Sequence, residues 1–361
     1  MKIELPVENG EKIYLQLYYK LKEMIENGEI KGKIFSIREL AKNLGVSIST
    51  VVKAYEQLEK NGYIYLRGGS GAYVKYNREK KFYLEDHMEN EIFRYGYFSS
   101  EYRIDFSTAS PNADFFPVEE LKKAINYILD RDGGKALLYE NPQGYLELRK
   151  TIKKELKADG IDVEIKDIQI MSGAQQGIDI LSKILIYPGD IVVTEDPAYK
   201  GAVISFKNNG AKVERVAMKK DGLDLKELEG ILKRDKIKFI YTAATFHNPT
   251  GISISEKKRV ELLDLAEKYN FYIIEDDCSS DIYFDEKKIR SIKSYDKNDR
   301  VIYIKSYSKV FMPGFRLGFM VAPEKIANSV LAGKYSSDIS NSGLNQRVFQ
   351  YFLENGIWNE H

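Results

Sequence analysis

The run VIYIKSYSKVFMPGFRLGF gathers Ser306, Ser308 and Lys309, then six residues, then Arg316. A lysine amine can attack a carbonyl carbon, while an arginine flanked by hydroxyls can hold a phosphate. Asp276 and Asp277 close FYIIEDD, where a carboxylate invites a cationic partner. Asn248, in the turn Asn248-Pro249-Thr250-Gly251, can donate or accept at a ligand oxygen. Tyr199, in Asp196-Pro197-Ala198-Tyr199, offers an aromatic ring. Ser172, Gly173, Ala174 and Gln175 lie where a strand turns into a helix, so their backbone N–H groups could receive an anion at the positive helix end.

Each of these groups stands where a strand-like segment ends. DIQIMSG, DIVVTEDP, AKVERVAM, KFIYTAA, FYIIEDD, VIYIKSYS and RLGFMVAP read as strands. AQQGIDILSKIL, LKELEGILKRD and SEKKRVELLDLAEKYN read as amphipathic helices between them. That alternation predicts an α/β domain with a mostly parallel sheet, whose ligand sits outside the carboxyl ends of the strands. Ser306-x-x-Lys309 also fits the penicillin-binding pattern, but the required SDN and KTG tripeptides are absent and Ser306 follows a strand. A hydrolase of the G-x-S-x-G kind is excluded because no such elbow occurs.

The first 76 residues have a different plan. Leu17, Leu21, Met24 and Ile25 recur at helical spacing up to a stop at Gly28. Ser36 with Glu39 forms a capping pattern for a second helix, and Gly45-Val46-Ser47 makes a turn into a third. YIYLRGGSGAYVKY reads as a hairpin. This is the order of a winged helix-turn-helix (α+β), with the third helix in the major groove. Ser47, Ser49, Thr50 and Lys53 would face bases or phosphates, and Arg38 and Arg67 would touch phosphates. Residues 1–76 hold 12 Lys and Arg against 9 Asp and Glu, a mild basic surplus.

The stretch SIRELAKNLGVSISTVVKAYEQLEKNGYIYLRGGSGAYV resembles the GntR family of bacterial regulators, with Phe35 standing where that family usually has proline. From about Ile104 onward, SGAQQ, DPAY, HNPTG, EDD and SYSKVFMPGFR resemble the fold-type I aminotransferases that use pyridoxal 5'-phosphate (PLP). The two together are similar to the MocR-type regulators. This resemblance implies that Lys309 forms a Schiff base with PLP, Asp276 pairs with the pyridine nitrogen, Tyr199 stacks on the ring and Asn248 bonds its phenolic oxygen. It further implies that Gly173, Ala174, Gln175, Ser306, Ser308 and Arg316 surround the phosphate. Tyr139, in LYENPQGY, matches a position that reaches the partner subunit's phosphate, implying a homodimer. Cys278 stands where the MocR-like pattern reads tyrosine.

The 361 residues carry 55 Lys and Arg against 54 Asp and Glu, so any DNA site must be local. One cysteine excludes an internal disulfide framework, and three histidines argue against a Cys/His zinc site. The start shows no signal-peptide pattern and no run is apolar enough to span a membrane, giving an expectation of a metal-independent cytoplasmic protein. The expected organisation is a DNA-binding domain at 1–76, a linker at 77–103 and a PLP-binding domain at 104–361. The resemblance implies about a hundred further residues beyond the end, including an arginine that clamps substrate carboxylate. A truncated chain with weak or absent transamination and an exposed apolar face is therefore expected. The functional expectation is a DNA-binding regulator that senses PLP or an amino compound through Lys309. The alternative is an active aminotransferase with an accessory DNA-binding module. A domain that has lost its cofactor is disfavoured by the presence of Lys309 and Asp276.

Overall fold

The computed structural model describes residues 12–74 apart from 28, 31, 68 and 69, then 111–283 and 288–361. The expected linker at 77–103 lies outside the described residues. The chain divides into two compact units, Met1–Phe82 and Tyr83–His361.

The first unit holds α1 (Ile13–Glu26), α2 (Ile37–Leu44), α3 (Ile48–Lys60), β1 (Ile64–Arg67) and β2 (Gly71–Val74). Ser36 and Ser47 each cap the next helix, accepting from the N–H groups of Glu39 and Thr50 at 3.2 Å. Gly45 closes α2 at φ 63°, a left-handed conformation that glycine adopts without steric cost. The helices bury Leu17, Leu21, Leu40, Val51, Ala54 and Leu58 against one another. Tyr55 is buried there too, and its hydroxyl donates to the Phe35 carbonyl at 2.7 Å. β1 and β2 form the expected antiparallel hairpin. One element has no signal in the sequence: Lys33 bridges Tyr73 on the far side of β2, adding a short third strand-like segment.

The second unit is built on an eight-stranded sheet of order β3-β10-β9-β8-β7-β4-β5-β6. The strands are β3 (Ile168–Met171), β4 (Ile191–Asp196), β5 (Lys212–Lys219), β6 (Gly222–Leu223), β7 (Ile237–Thr242), β8 (Tyr272–Asp277), β9 (Val301–Ser306) and β10 (Gly318–Val321). The central pairings β5/β4, β4/β7, β7/β8 and β8/β9 are parallel. β10 runs antiparallel to both β9 and β3, so β3 points the same way as β9. Residues of β3, β9 and β10 are buried throughout, as expected for strands covered on both faces.

The covering helices are α4 (Val118–Asp132), α5 (Leu146–Ala158), α6 (Ala174–Leu185), α7 (Lys200–Asn208), α8 (Leu225–Arg234), α9 (Glu256–Tyr269), α10 (Glu324–Ser337), α11 (Gly343–Glu354) and α12 (Ile357–Glu360). The final helix-like run is in fact two helices, broken where Gly356 takes φ 74°. No helix among the described residues is long and apolar enough to cross a membrane. The consequence for chemistry is positional. The carboxyl ends of β3, β4, β7, β8 and β9 and the amino end of β10 meet along one edge.

Candidate functional site

A cluster of one guanidinium, two hydroxyls and a helix start forms where β3, β9 and β10 meet. Arg316 precedes β10 in a left-handed turn at φ 52°. Its guanidinium donates to the Ser172 carbonyl at 2.8 Å and to Ser308 Oγ at 3.2 Å. Ser306 Oγ donates to Ser308 Oγ at 3.2 Å. Gly173 supplies the N-cap of α6 at φ 81°, and a Cβ there would come within 2.8 Å of Arg316. The absent side chain keeps the first-turn N–H groups of α6 accessible beside a fixed guanidinium. Gly318 is required for a similar reason, since a Cβ would lie 2.5 Å from the Lys305 carbonyl.

Asp276 lies deeper. It is only 3% exposed, and Tyr241 on β7 donates to its Oδ2 at 2.5 Å. Among the described residues its Oδ1 is the buried carboxylate oxygen left without a hydrogen-bond partner. Burial pushes the Asp276 carboxyl up to about 6, with Asp277 and Glu195 adding to the effect and the Tyr241 hydroxyl, and more weakly the Cys278 thiol, opposing it. A carboxylate in this condition fits a cationic ring nitrogen, which would supply the missing partner. Asp277 is turned the other way by the pleat of β8. It accepts from Tyr303 at 2.5 Å and from Ser280 at 2.7 Å. Despite its burial it is held below the usual carboxylate range, chiefly by the Lys305 ammonium.

Lys309 is half-buried three residues beyond β9. Among the described residues no hydrogen bond or ion pair holds its ammonium, so the amine is uncommitted. Its charge reaches the thiol of Cys278, which burial pushes up and which is therefore neutral. Tyr199 donates to Gln175 Oε1 at 3.1 Å, while Gln175 Nε2 donates to Ser205 at 3.0 Å. The side chain of Gln175 thus positions the Tyr199 ring, leaving its backbone at the helix start. Gly201 makes room for this, because a Cβ would come within 2.7 Å of both Gln175 and the tyrosine ring.

The structure brings Gly173, Ser306, Ser308 and Arg316 into one cluster, and Tyr199 into contact with Gln175. Asn248 sits exposed in its turn. Two buried groups that sequence reasoning missed fasten the ends of that loop. Glu195 accepts from Thr242 Oγ1 at 2.5 Å and the Ala243 N–H at 3.0 Å, and lies 3.1 Å from His247 Nε2. Arg259 donates to the carbonyls of Ala244 at 2.6 Å and Ile254 at 2.9 Å. Tyr139 is 83% exposed beside the exposed Leu137 and Leu138.

In the first unit the third helix presents Ser47, Ser49 and Lys53 to solvent, with Thr50 half-buried. The Ser47 hydroxyl lies 2.8 Å from those of both Ser49 and Thr50, in addition to capping the helix. Lys53 sits 6.0 Å over the Tyr14 ring. Arg38 at the start of α2 and Arg67 at the hairpin tip are exposed.

A capped helix-turn-helix with a hairpin wing, followed by a sheet that gathers Arg316, Lys309 and Asp276 at its strand ends, is the plan of a DNA-binding regulator built on an aminotransferase fold. Bacterial regulatory proteins of the gntR family match residues 13–74, and aminotransferase class I and II matches residues 104–346. The chain belongs to the MocR-type HTH transcriptional regulators, which join these two domains. YcxD and YdfD of Bacillus subtilis, both named HTH-type transcriptional regulators, are 31% and 34% identical to it. Each match covers 96% of this chain, and 76% and 75% of the respective relative. The kynurenine aminotransferase of Pyrococcus horikoshii, solved with PMP and KYN, matches with TM-score 0.67 and 33% identity. That match covers 70% of this chain and 64% of the enzyme.

Proposed function

We propose that this regulator binds PLP through Lys309 and converts the state of that site into a change in its hold on DNA, with PLP itself or an amino compound as effector. The observation that carries the reading is the buried, unpartnered Oδ1 of Asp276. PLP supplies a pyridine nitrogen that is protonated beside such a carboxylate, and a carbonyl that reacts with amines. In this reading Arg316, Ser306, Ser308 and the backbone of Gly173, Ala174 and Gln175 hold the phosphate. Tyr199 covers the ring face and Asn248 meets the phenolic oxygen. The DNA-binding domain spans 1–76 and the PLP-binding domain 104–361, joined by a linker at 77–103. The chain acts as a homodimer, and the exposed Leu137, Leu138 and Tyr139 support this by offering an apolar strip to a second copy. An effector shifts DNA affinity only through different affinities for two conformations, so its effect on DNA and the effect of DNA on it are reciprocal.

The test is spectroscopic. Protein mixed with PLP should gain visible absorption, and borohydride should fix the cofactor to Lys309. Lys309→Ala should lose both while keeping its circular dichroism. A reducible adduct on another lysine in the alanine variant would refute the assignment. Amino acids that discharge the absorption should change the mobility of a complex with its upstream DNA.

A further inference from the structure

The tip of α3 presents one apolar side chain among polar ones. Ile48, the first residue of the helix, is 55% exposed. Val52, one turn further and on the same side, is half-buried. Their neighbours on the outward face are Ser49 and Lys53. A single exposed isoleucine is ordinary on a protein surface, so exposure alone decides nothing. Its position does. The helix belongs to a gntR-family unit, and the first residues of such a helix are the ones that meet base edges.

The hydroxyls beside it are already engaged. Ser47 caps the helix by accepting from the Thr50 N–H, and Ser49 and Thr50 both close on Ser47 Oγ at 2.8 Å. The feature of the tip with no partner of its own is thus aliphatic. Two branched side chains amid hydroxyls and a cation are far too small a patch for a protein interface. They match the one apolar group that the major groove offers, the C5-methyl of thymine. We infer that Ile48, supported by Val52, is a specificity-determining residue that reads thymine methyl groups in the operator, with Lys53 left to the flanking phosphates. This rests on the DNA-binding reading of the first unit.

The methyl can be removed from the DNA, which leaves the protein untouched. The full chain is used to enrich a random duplex pool, and the enriched duplex is remade with deoxyuridine replacing thymidine one position at a time. At one or two positions in each half-site the wild type should lose about fourfold in affinity, the worth of one buried methyl. Ile48→Ala should bind the thymidine duplex more weakly and be indifferent to uridine at those positions. Equal binding of thymidine and uridine duplexes by the wild type would overturn the inference while leaving DNA binding intact. So would an alanine variant that keeps the full sensitivity. Failure to enrich any duplex would instead overturn the DNA-binding reading, and this inference with it.

Discussion

The carboxyl edge of the large sheet and the first unit both carry cations beside hydroxyls, but they hold the cations in opposite ways. At the sheet edge the groups are locked: Arg316 is held by a backbone carbonyl and a serine, and Asp276 by a buried tyrosine. In the first unit Lys53 on α3, Arg38 at the start of α2 and Arg67 on the hairpin are exposed, and among the described residues none of them makes an ion pair. Arg316 is exposed too, but hydrogen bonds fix it in place to recognise one rigid molecule, while the buried Asp276 carboxylate responds to pH. Exposed cations recognise a polyanion of any sequence and respond to salt. Perturbations of pH and of salt should therefore separate the two regions.

The largest effect belongs to Asp276. Its carboxyl is raised by burial from 3.8 to about 6, so ionisation costs the ligand-free fold about 3 kcal/mol. The cost is absent below pH about 4 and complete above pH about 6, because the folded value is the higher one. Ligand-free Asp276→Asn should therefore be more stable than wild type at pH 8, and the gap should close as pH falls through 6. Glu275, pushed up to about 7 by burial, titrates nearby but in both proteins alike. PLP affinity should move the opposite way: the variant should bind about a hundredfold more weakly at pH 8, the scale of one charged hydrogen bond. Thermal melts with and without PLP across this range check both signs. A variant that binds PLP as tightly as wild type would break the comparison.

Arg316→Ala should come next, weakening PLP about thirtyfold through loss of charge-assisted contacts to phosphate. Pyridoxal, which lacks the phosphate, should bind wild type and variant equally. Competition titrations with the two compounds measure the difference. A loss that is equal for both compounds would mean that Arg316 supports the fold of the edge and not the phosphate.

Much of this edge was legible because buried parallel strands are near-continuous apolar runs, and the residues just after each run must lie at the same end of the sheet. Lys309, Asp276 and Tyr199 were found that way. Tyr241 was not, because it meets Asp276 through the register of two strands, Tyr241 pairing with Ile274 and Thr242 with Glu275. Buried charges were equally silent. Arg149 and Lys334 look like surface residues in sequence, yet both are buried, and Lys334 donates to the Pro142 carbonyl, where burial lowers its amine to about 8. Helices α4, α5, α7 and α10 also went unread. In α5 the core contacts fall to Leu148, Ile152 and Leu156 in a segment otherwise dense in charge. At the helix tip the residue types were legible, but the closure of three hydroxyls on one another needed geometry.

Smaller effects are expected from the exposed cations. Lys53→Ala and Arg67→Ala should each flatten the salt dependence of DNA binding by about one unit of slope if each touches one phosphate. Neither should alter the visible absorption of bound PLP. Binding isotherms between roughly 50 and 200 mM salt give the slope directly. A change in PLP affinity in either variant would contradict the division of labour between the two regions.

The smallest effect sharpens the sheet-edge side of the comparison, at Cys278. The residue follows Asp277 at the end of β8, and its thiol lies within electrostatic reach of Lys309 and Asp276. Burial and the two carboxylates keep it protonated, so it is a neutral and weak donor. The MocR-like pattern has tyrosine here, whose phenol would donate to the ring oxygen alongside Asn248. Cys278→Tyr should therefore stabilise negative charge on that oxygen and make the neighbouring proton easier to lose. The pH midpoint of the visible band should move down by about one unit or less, worth about 1 kcal/mol. PLP affinity should rise slightly in the same variant. Cys278→Ser, which keeps the size of the side chain but not the reach of a phenol, should leave the midpoint in place. Spectral titrations of the three proteins decide it, and an unmoved midpoint in the tyrosine variant would mean that Cys278 serves packing alone.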